Sequence, residues 1–242
     1  MAPLRDFRLE TTPAQRHLLR FTAEIVNLGR GPFELSAQRA SADEQTMTQV
    51  QQHILNQAGD WRSVPVDTTM YFAGDGHLHW HVRDLEQYHL ESIDGAATLG
   101  VSAKGGFCFS DNRLEQAALA DAPPEPHYQS CGMANDLAVD MGLSVGWGDI
   151  YAADLPDQYI DITDIPPGDY RLRATADPNQ LFVEQDTGNN ATSIVLKLDR
   201  ASVQALDHSV FLSLVAAGNN PHQTLVESNQ TLSPTAFICN LQ

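Results

Sequence analysis

The amino-acid sequence predicts an all-β protein: a β-sandwich with long loops and a short, partly helical C-terminal extension. Short segments rich in β-branched and aromatic residues recur along the chain, as at residues 18–26, 170–176 and 194–198. Turn signals containing Gly, Pro, Asn or Asp separate them. Many short strands between turns are typical of a sandwich or barrel, and 242 residues can enclose the core of one large domain. A second full domain is not expected.

The N-terminal third contains one clear strand and one ambiguous segment. Residues 18–26 form the strand, and residues 27–32, which contain Gly and Pro, close it with a turn. Residues 36–62 are polar and rich in Gln, and their few apolar positions have a weakly helical spacing. We therefore interpret residues 36–62 as an insertion or loop.

The middle of the chain combines a hairpin with a long connection. Residues 88–93 and 97–101 are predicted to pair through an Asp94-Gly95 turn, a strong hairpin signal. Residues 110–146 carry several Pro and Gly and little alternation, which predicts a long connection. Loops of that length often carry function. Alternation returns at residues 150–165.

The pattern changes beyond Asp199, where apolar residues recur at helical spacing. These residues are Val203, Leu206, Val210 and Leu214. The sequence therefore predicts a main domain at residues 1–199 and an extension at residues 200–242 that packs on it.

The charge balance narrows the choice of partners. The chain has 31 acidic and 14 basic residues, a net charge of -17. This charge argues against binding nucleic acid or an anionic membrane surface and favours cationic partners. The alternative is that the charge only keeps the protein dissolved. No apolar run reaches the length needed to span a membrane.

Three cysteines allow one disulfide and leave one thiol over. They are Cys108, Cys131 and Cys239. A disulfide suits an oxidising compartment, so we expect a secreted or extracytoplasmic protein. The first residues lack the basic and apolar regions of a signal peptide, and we expect a leader to be absent or already removed.

The residues most indicative of chemistry are His77, His79 and His81. Alternate side chains of a strand share one face, so a strand through residues 77–81 would place the three imidazoles in a row, roughly 7 Å between neighbouring Cα atoms. Leu78 and Trp80 would then face the core. Imidazoles without a thiolate suit Cu(II) or Zn(II). The alternative is a histidine-rich strand edge without an ion.

Several segments, taken in order, resemble the lysyl oxidase family of copper amine oxidases. The resemblance spans roughly residues 6–199, and each segment is weak by itself whereas the ordered set is specific. The segments are residues 18–21 with 27–29, the histidine triplet, Lys104 to Cys108, residues 142–164, residues 167–170 and residues 184–190. Lys104 is one of only two lysines in the chain.

The resemblance implies an activity and the residues that perform it. His77, His79 and His81 would bind copper, and Lys104 and Tyr151 would join to form lysine tyrosylquinone. Such enzymes oxidise primary amines, including the lysine of peptides, with oxygen. The products are an aldehyde, hydrogen peroxide and ammonia.

Two further roles follow from the same resemblance. Asp149 would be the general base that removes a proton from the substrate, and Cys108 would pair with Cys131. Each of these residues also has an ordinary interpretation. Lys104 could be a surface lysine, Tyr151 a core aromatic and Asp149 a turn residue. The two cysteines could be buried thiols.

The resemblance also suggests a calcium site, because the segment at residues 184–190 is rich in oxygen donors. In animal members of the family this segment meets the start of the chain. The matching positions are Glu184, Asp186, Asn189, Asn190, Asp6 through its side chain and Phe7 through its carbonyl. The alternative is a polar turn without an ion.

Three functions therefore compete. The first is a copper- and quinone-dependent amine oxidase, in which zinc could replace copper in protein made without it. The second is a secreted, non-catalytic metal-binding β-sandwich module. The third and weakest is a cupin-like or zinc hydrolase site, since three histidines and zinc can activate water.

Overall fold

A computed structural model describes residues 1–56, 58–74 and 77–206, together with the backbone pairing of Asn240 and Leu241. Within these residues the chain forms twenty strands and no helix, which confirms the all-β prediction. The strands are β1 (Arg5–Thr11), β2 (His17–Val26), β3 (Phe33–Gln38), β4 (Thr46–Met47), β5 (Gln51–Leu55), β6 (Trp61–Pro65), β7 (Met70–Ala73), β8 (His79–Arg83), β9 (Glu86–Glu91), β10 (Thr98–Val101), β11 (Gly106–Phe107), β12 (Arg113–Leu114), β13 (Ala138–Leu143), β14 (Trp147–Tyr151), β15 (Tyr159–Asp161), β16 (Gly168–Ala176), β17 (Glu184–Asp186), β18 (Ala191–Leu198), β19 (Val203–Leu206) and β20 (Asn240–Leu241).

The first five-stranded sheet is built on β2, the strand predicted at residues 18–26. Its order is β1-β2-β14-β12, and β15 also pairs with β2. Eight of the ten β2 residues are buried, because the strand has partners on both sides and lies against the core. Pairing of β14 with β2 sets Tyr151 opposite Ala23 and Asp149 opposite Ile25.

The second five-stranded sheet has the order β10-β9-β16-β18-β19. The predicted Asp94-Gly95 hairpin is present, and Gly95 has φ 72, a conformation that favours glycine. The two sheets share one core. Phe21 of β2 meets Tyr88 of β9 edge to face, with ring centroids 5.1 Å apart.

The prediction for residues 36–62 is wrong, because this segment contains the end of β3, all of β4 and β5, and the first two residues of β6. The strands β13-β3-β5-β6 form a four-stranded sheet. Burial along β5 alternates, so Gln52 and Ile54 face inward. The polar side chain of Gln52 can be buried because both ends of its amide are hydrogen bonded. The amide accepts a hydrogen bond from the Val183 N–H at 2.8 Å and donates one to the Val183 carbonyl at 2.9 Å.

The predicted connection at residues 110–146 is shorter than expected, because it contains β12 and ends in β13. Buried Asp111 fixes it to the turn before β14. The Asp111 carboxylate accepts hydrogen bonds from the Ser144 N–H, the Ser144 hydroxyl and the N–H groups of His127 and Tyr128, at 2.6–3.1 Å. The loop is therefore anchored on the strand that carries Asp149 and Tyr151.

The partly helical structure predicted beyond Asp199 is absent at the first two apolar positions of the pattern. Val203 and Leu206 lie in β19, which pairs with β18 along four residues. The open edge of β18 offers backbone hydrogen bonds, and pairing overrides the weak periodicity. Val210 and Leu214 lie outside the described residues. The division into residues 1–199 and 200–242 remains a prediction. No helix of the described chain could cross a membrane.

Candidate metal and amine-oxidation site

Two of the three histidines lie on β8, and the third precedes it. His79 and His81 are separated by one strand position, but Leu78 has φ 55 and its side chain is 66% exposed. The predicted single row with Leu78 in the core is therefore wrong. The chain turns at Leu78 and brings His77 over the two strand histidines, whereas Trp80 is fully buried as predicted.

The turn brings the three imidazoles together. One ring nitrogen from each residue can be chosen so that all three lie within 4.8 Å of one another, and Nε2 of His79 is 2.9 Å from Nε2 of His81. Metal–nitrogen bonds of about 2.0–2.1 Å place ligands of one ion at most about 4 Å apart. The cluster fits a copper or zinc ion after a small adjustment of the rings.

Tyr71 supports this cluster from the neighbouring strand β7. Its hydroxyl is 3.4 Å from Nδ1 of His81, and the two residues face each other in the β7–β8 pair. A contact at the nitrogen that does not bind metal can fix the orientation of the imidazole. Gly106 allows this packing, since a Cβ there would lie 2.1 Å from the Tyr71 hydroxyl oxygen. The sequence did not single out Tyr71.

Lys104 is carried to the site by a short bridge between the two five-stranded sheets. The Ser102 N–H donates to the Tyr88 carbonyl, and the Ala103 N–H donates to the Tyr159 carbonyl. The chain then enters β11, which pairs with the histidine strand β8. The Lys104 side chain is buried, with Nζ 5.2 Å from the centroid of the Tyr151 ring and 5.1 Å from that of Phe107.

Tyr151 is buried at the end of β14. Its hydroxyl donates a 3.0 Å hydrogen bond to the Cys108 carbonyl, and Phe107 meets its ring edge to face at 5.2 Å. Burial raises the pKa of Tyr151 well above the usual range, and the negative charges of Asp149 and Glu86 raise it further. The structure thus brings Lys104 and Tyr151 together, across the long connection between them.

The predicted disulfide is confirmed, because Cys108 and Cys131 are bonded. Cys131 also accepts a 3.0 Å hydrogen bond at its carbonyl from the Trp80 N–H, so the bridge ties the Lys104 segment to the histidine strand. Cys239, expected to be free, lies outside the described residues.

Asp149 faces the same side of β14 as Tyr151, two residues away. Burial raises the pKa of Asp149 to about 8, the nearby Tyr151 hydroxyl and the hydrogen bond from Asn112 lower it, and the charge of Glu86 raises it. Asn112 also accepts the Ile150 N–H at 3.1 Å, so it fixes the carboxyl relative to the strand. The sequence had not indicated Asn112.

A second buried carboxyl, Glu86 of β9, was also missed. Tyr88 donates a 2.6 Å hydrogen bond to its Oε2 atom, and both residues are buried. Burial raises the pKa of Glu86 to about 7, while the hydrogen bond from Tyr88 lowers it. The signal available in the sequence was the alternation of β9, in which Glu86, Tyr88 and Leu90 share the inward face.

The residues predicted to bind calcium are less clustered than the three histidines. Asn190 donates a 2.7 Å hydrogen bond to Oε1 of Glu184, and Asp186 accepts the Gly188 N–H at 2.8 Å. Asp6 has φ 56 at a bulge in β1, beside Phe7. Across the described residues, Asp6, Glu184 and Asp186 do not form a cluster of the kind the histidines form. The calcium site remains a prediction.

An all-β fold whose histidine cluster could hold a metal ion, with a buried lysine–tyrosine pair on segments joined to it, defines a candidate metal-binding protein. The family model for lysyl oxidase matches residues 38–207, well over half of the chain, so the protein belongs to the lysyl oxidase family.

Relatives of known name agree with this assignment. Lysyl oxidase homolog 2 of Gallus gallus is 28% identical over 180 residues, covering 74% of this chain and 18% of that protein. Lysyl oxidase homolog 3B of Danio rerio is 28% identical over 76% of this chain and 18% of its own length. Lysyl oxidase homolog 3 of Homo sapiens is 26% identical over 76% of this chain and 19% of its own. The chain thus spans under a fifth of these relatives.

Proposed function

We propose that this protein is a copper- and quinone-dependent amine oxidase that converts peptidyl lysine or other primary amines to aldehydes. Oxygen would be consumed, and hydrogen peroxide and ammonia released. The observation that carries the proposal is the burial of Lys104 against the Tyr151 ring, on a segment that pairs directly with the histidine strand. Membership of the lysyl oxidase family supports an amine-oxidase type of oxidoreductase.

His77, His79 and His81 would hold the copper, and Lys104 and Tyr151 would supply the two halves of lysine tyrosylquinone. Copper and oxygen would supply the oxidation of the tyrosine ring, and the finished quinone would accept the electrons of the amine. The residues fit both groups. The histidine nitrogens already converge, and Lys104 Nζ needs to move only a few ångströms along its flexible side chain to reach the ring. Zinc would occupy the same ligands in protein made without copper.

The surrounding residues prepare these side chains. Burial destabilises the Lys104 ammonium and so favours the neutral amine, which is the nucleophilic form. Phe107 limits the space around Lys104 and Tyr151, and the Cys108 carbonyl fixes the phenol. Asp149, with a pKa near neutrality, would take the proton that leaves the substrate carbon.

The net charge of -17 would draw in cationic amines, and it disfavours nucleic acid and anionic membranes as partners. The Cys108–Cys131 bridge supports a secreted or extracytoplasmic location. A calcium ion at residues 184–190 with Asp6 and Phe7 is part of the proposal and rests on the family resemblance.

The second candidate is a secreted metal-binding module that keeps the fold and the histidines without oxidising amines. The histidine cluster alone would support either function. Only the oxidase requires a chemical change at Lys104 and Tyr151.

The direct test is peroxide release by the copper-loaded protein when it is given a primary amine or a lysine-rich peptide. Lys104→Arg should abolish it, because arginine keeps the charge but does not lose its proton. Lys197→Arg is the matched control, since Lys197 is the other lysine and is exposed on β18. Equal peroxide release by both variants would refute the role of Lys104, and none from the copper-loaded wild type would favour the module.

A further inference from the structure

A buried polar group on β9 and at the residue that precedes β15 lies near Lys104 and takes no part in the chemistry assigned above. Its members are Glu86, Tyr88 and Gln158, all nearly inaccessible to solvent. Tyr88 donates its hydroxyl hydrogen to Oε2 of Glu86, and Gln158 lies beside the same hydroxyl. An acid buried inside a sandwich is costly unless its charge is balanced or removed.

Within the described residues, the group has both donor and acceptor atoms that make no hydrogen bond. In the part of the chain that the structure describes, Oε1 of Glu86 and both polar atoms of the Gln158 amide make no hydrogen bond. Buried polar atoms are nearly always paired, so such atoms point to a function or to a partner that arrives. Because Tyr88 occupies Oε2, the open atom of Glu86 is Oε1.

Backbone hydrogen bonds of the two residues before Lys104 position it near this group. Ser102 is hydrogen bonded to the Tyr88 backbone, and Ala103 is bonded to Tyr159, the residue after Gln158. Lys104 follows directly and is itself buried. Its positive charge lowers the pKa of Glu86, as does that of the Met1 amino group. The other titratable groups that act on this position are Tyr88 on β9 and Asp149 and Tyr151 on β14.

We propose that Glu86 is the proton partner of Lys104 and that Lys104 becomes a neutral amine by passing its ammonium proton to Oε1 of Glu86. This inference rests on the proposed role of Lys104 in the quinone. The transfer is balanced: one N–H bond breaks and one O–H bond forms, and the charged pair becomes two neutral groups. A poorly solvated pocket lowers the free energy needed to pass from the resting charged pair to the neutral one. With its pKa raised by burial to about 7, Glu86 can hold this proton near neutral pH.

The partnership can be tested without copper or quinone. The chain has two lysines, so NMR of the metal-free protein with labelled lysine side chains should show two titrations, of which Lys197 is the internal standard. Glu86→Gln should lower the titration midpoint of Lys104 by at least about one pH unit, because a buried ammonium loses its counter-charge. Glu91→Gln, on the same strand, should leave it unchanged. An unchanged midpoint in Glu86→Gln would overturn the proposal.

The role in bond formation is tested by the pH profile of cross-linking between residues 104 and 151 after copper is added. In the wild type the proton moves within the pair, so the rate should vary little between pH 7 and 8, where much of Glu86 is ionised. In Glu86→Gln the proton must leave for solvent, so the rate should rise about tenfold per pH unit below the Lys104 midpoint. Glu86→Asp should restore the flat profile at least in part. If the pH profiles of wild type and Glu86→Gln run parallel, Glu86 does not take the Lys104 proton during cross-linking. If none of the proteins forms the cross-link, the quinone role of Lys104 is refuted, and the NMR titration alone decides whether Glu86 is its proton partner.

Discussion

The Nζ atom of Lys104 lies 5.2 Å from the centroid of the Tyr151 ring, and Cys108 connects the segments that carry the two residues. Its carbonyl accepts the Tyr151 hydroxyl, and its sulfur is bonded to Cys131. Cys131 in turn accepts the Trp80 N–H between His79 and His81. The lysine, the tyrosine and the histidine strand are therefore held by one short series of contacts.

The first prediction concerns the metal. His79→Ala should lose stoichiometric copper binding, because the two remaining imidazoles leave an ion with too few protein ligands. His127→Ala is the control, since His127 is exposed and lies outside the cluster. Elemental analysis after dialysis checks this. One tightly bound copper per chain in His79→Ala would place the metal elsewhere.

The second prediction concerns the disulfide, which joins residues 23 positions apart. Replacing both Cys108 and Cys131 by Ser should lower the free energy of unfolding by about 3 kcal/mol, since the unfolded chain regains the entropy of a closed loop of this size. Urea unfolding of metal-free protein measures the change. Thiol counting in denatured, non-reduced wild type should find one reactive thiol, from Cys239, and three would refute the bridge.

The third prediction concerns the pH dependence of stability. The pKa of Asp149 is about 8 in the folded protein and about 3.9 in an unfolded chain. Between these values the unfolded chain has lost a proton that the folded protein keeps, so stability falls as pH rises. The contribution is about 1.4 kcal/mol per pH unit and is fully present at low pH.

Asp149→Asn removes this titration. Between pH 5 and 7 the metal-free variant should lose about 3 kcal/mol less stability than the wild type, as measured by urea unfolding. Asp140→Asn, an exposed change on β13, should follow the wild type. If Asp149→Asn also parallels the wild type, Asp149 is ionised in the folded protein throughout this range.

The fourth prediction concerns calcium at residues 184–190. A calcium ion that binds only the folded protein raises the melting temperature as its concentration rises. EGTA should reverse the increase, and Glu184→Gln should weaken the response because it removes a hard carboxylate ligand. Glu125→Gln, an exposed change in the long loop, should respond as the wild type does. A wild-type melting temperature indifferent to both calcium and EGTA would count against the site.

The sequence predicted the parts of the fold that depend on local patterns. The strand at residues 18–26 and the Asp94-Gly95 hairpin are both present. It failed where tertiary contacts replace local preference. The polar Gln52 suggested a loop, but in the structure its amide is hydrogen bonded to Val183 and it lies in a strand. The spacing at Val203 suggested a helix, but this residue pairs with the edge of β18.

The candidate site shows the same limit. The sequence predicted a row of three histidines on one strand face. The structure instead brings the rings together through a left-handed turn at Leu78, which alternation cannot reveal. Lys104 and Tyr151 were paired by family resemblance, and their proximity depends on sheet pairings distant in sequence. Tyr71 and Asn112 could not be identified, because their importance comes only from the groups that face them across strands. The alternation of β9 marks Glu86 as inward-facing but does not indicate its role.

Peptide mapping of the copper-loaded wild-type protein tests the central claim most directly. After digestion, mass spectrometry should find one cross-linked species that contains Lys104 and Tyr151, and Lys197→Arg should retain it while Lys104→Arg lacks it. We expect this species because both side chains are buried and Nζ of Lys104 lies 5.2 Å from the centroid of the Tyr151 ring. Unmodified Lys104 and Tyr151 in the copper-loaded protein would contradict the oxidase and leave the metal-binding module.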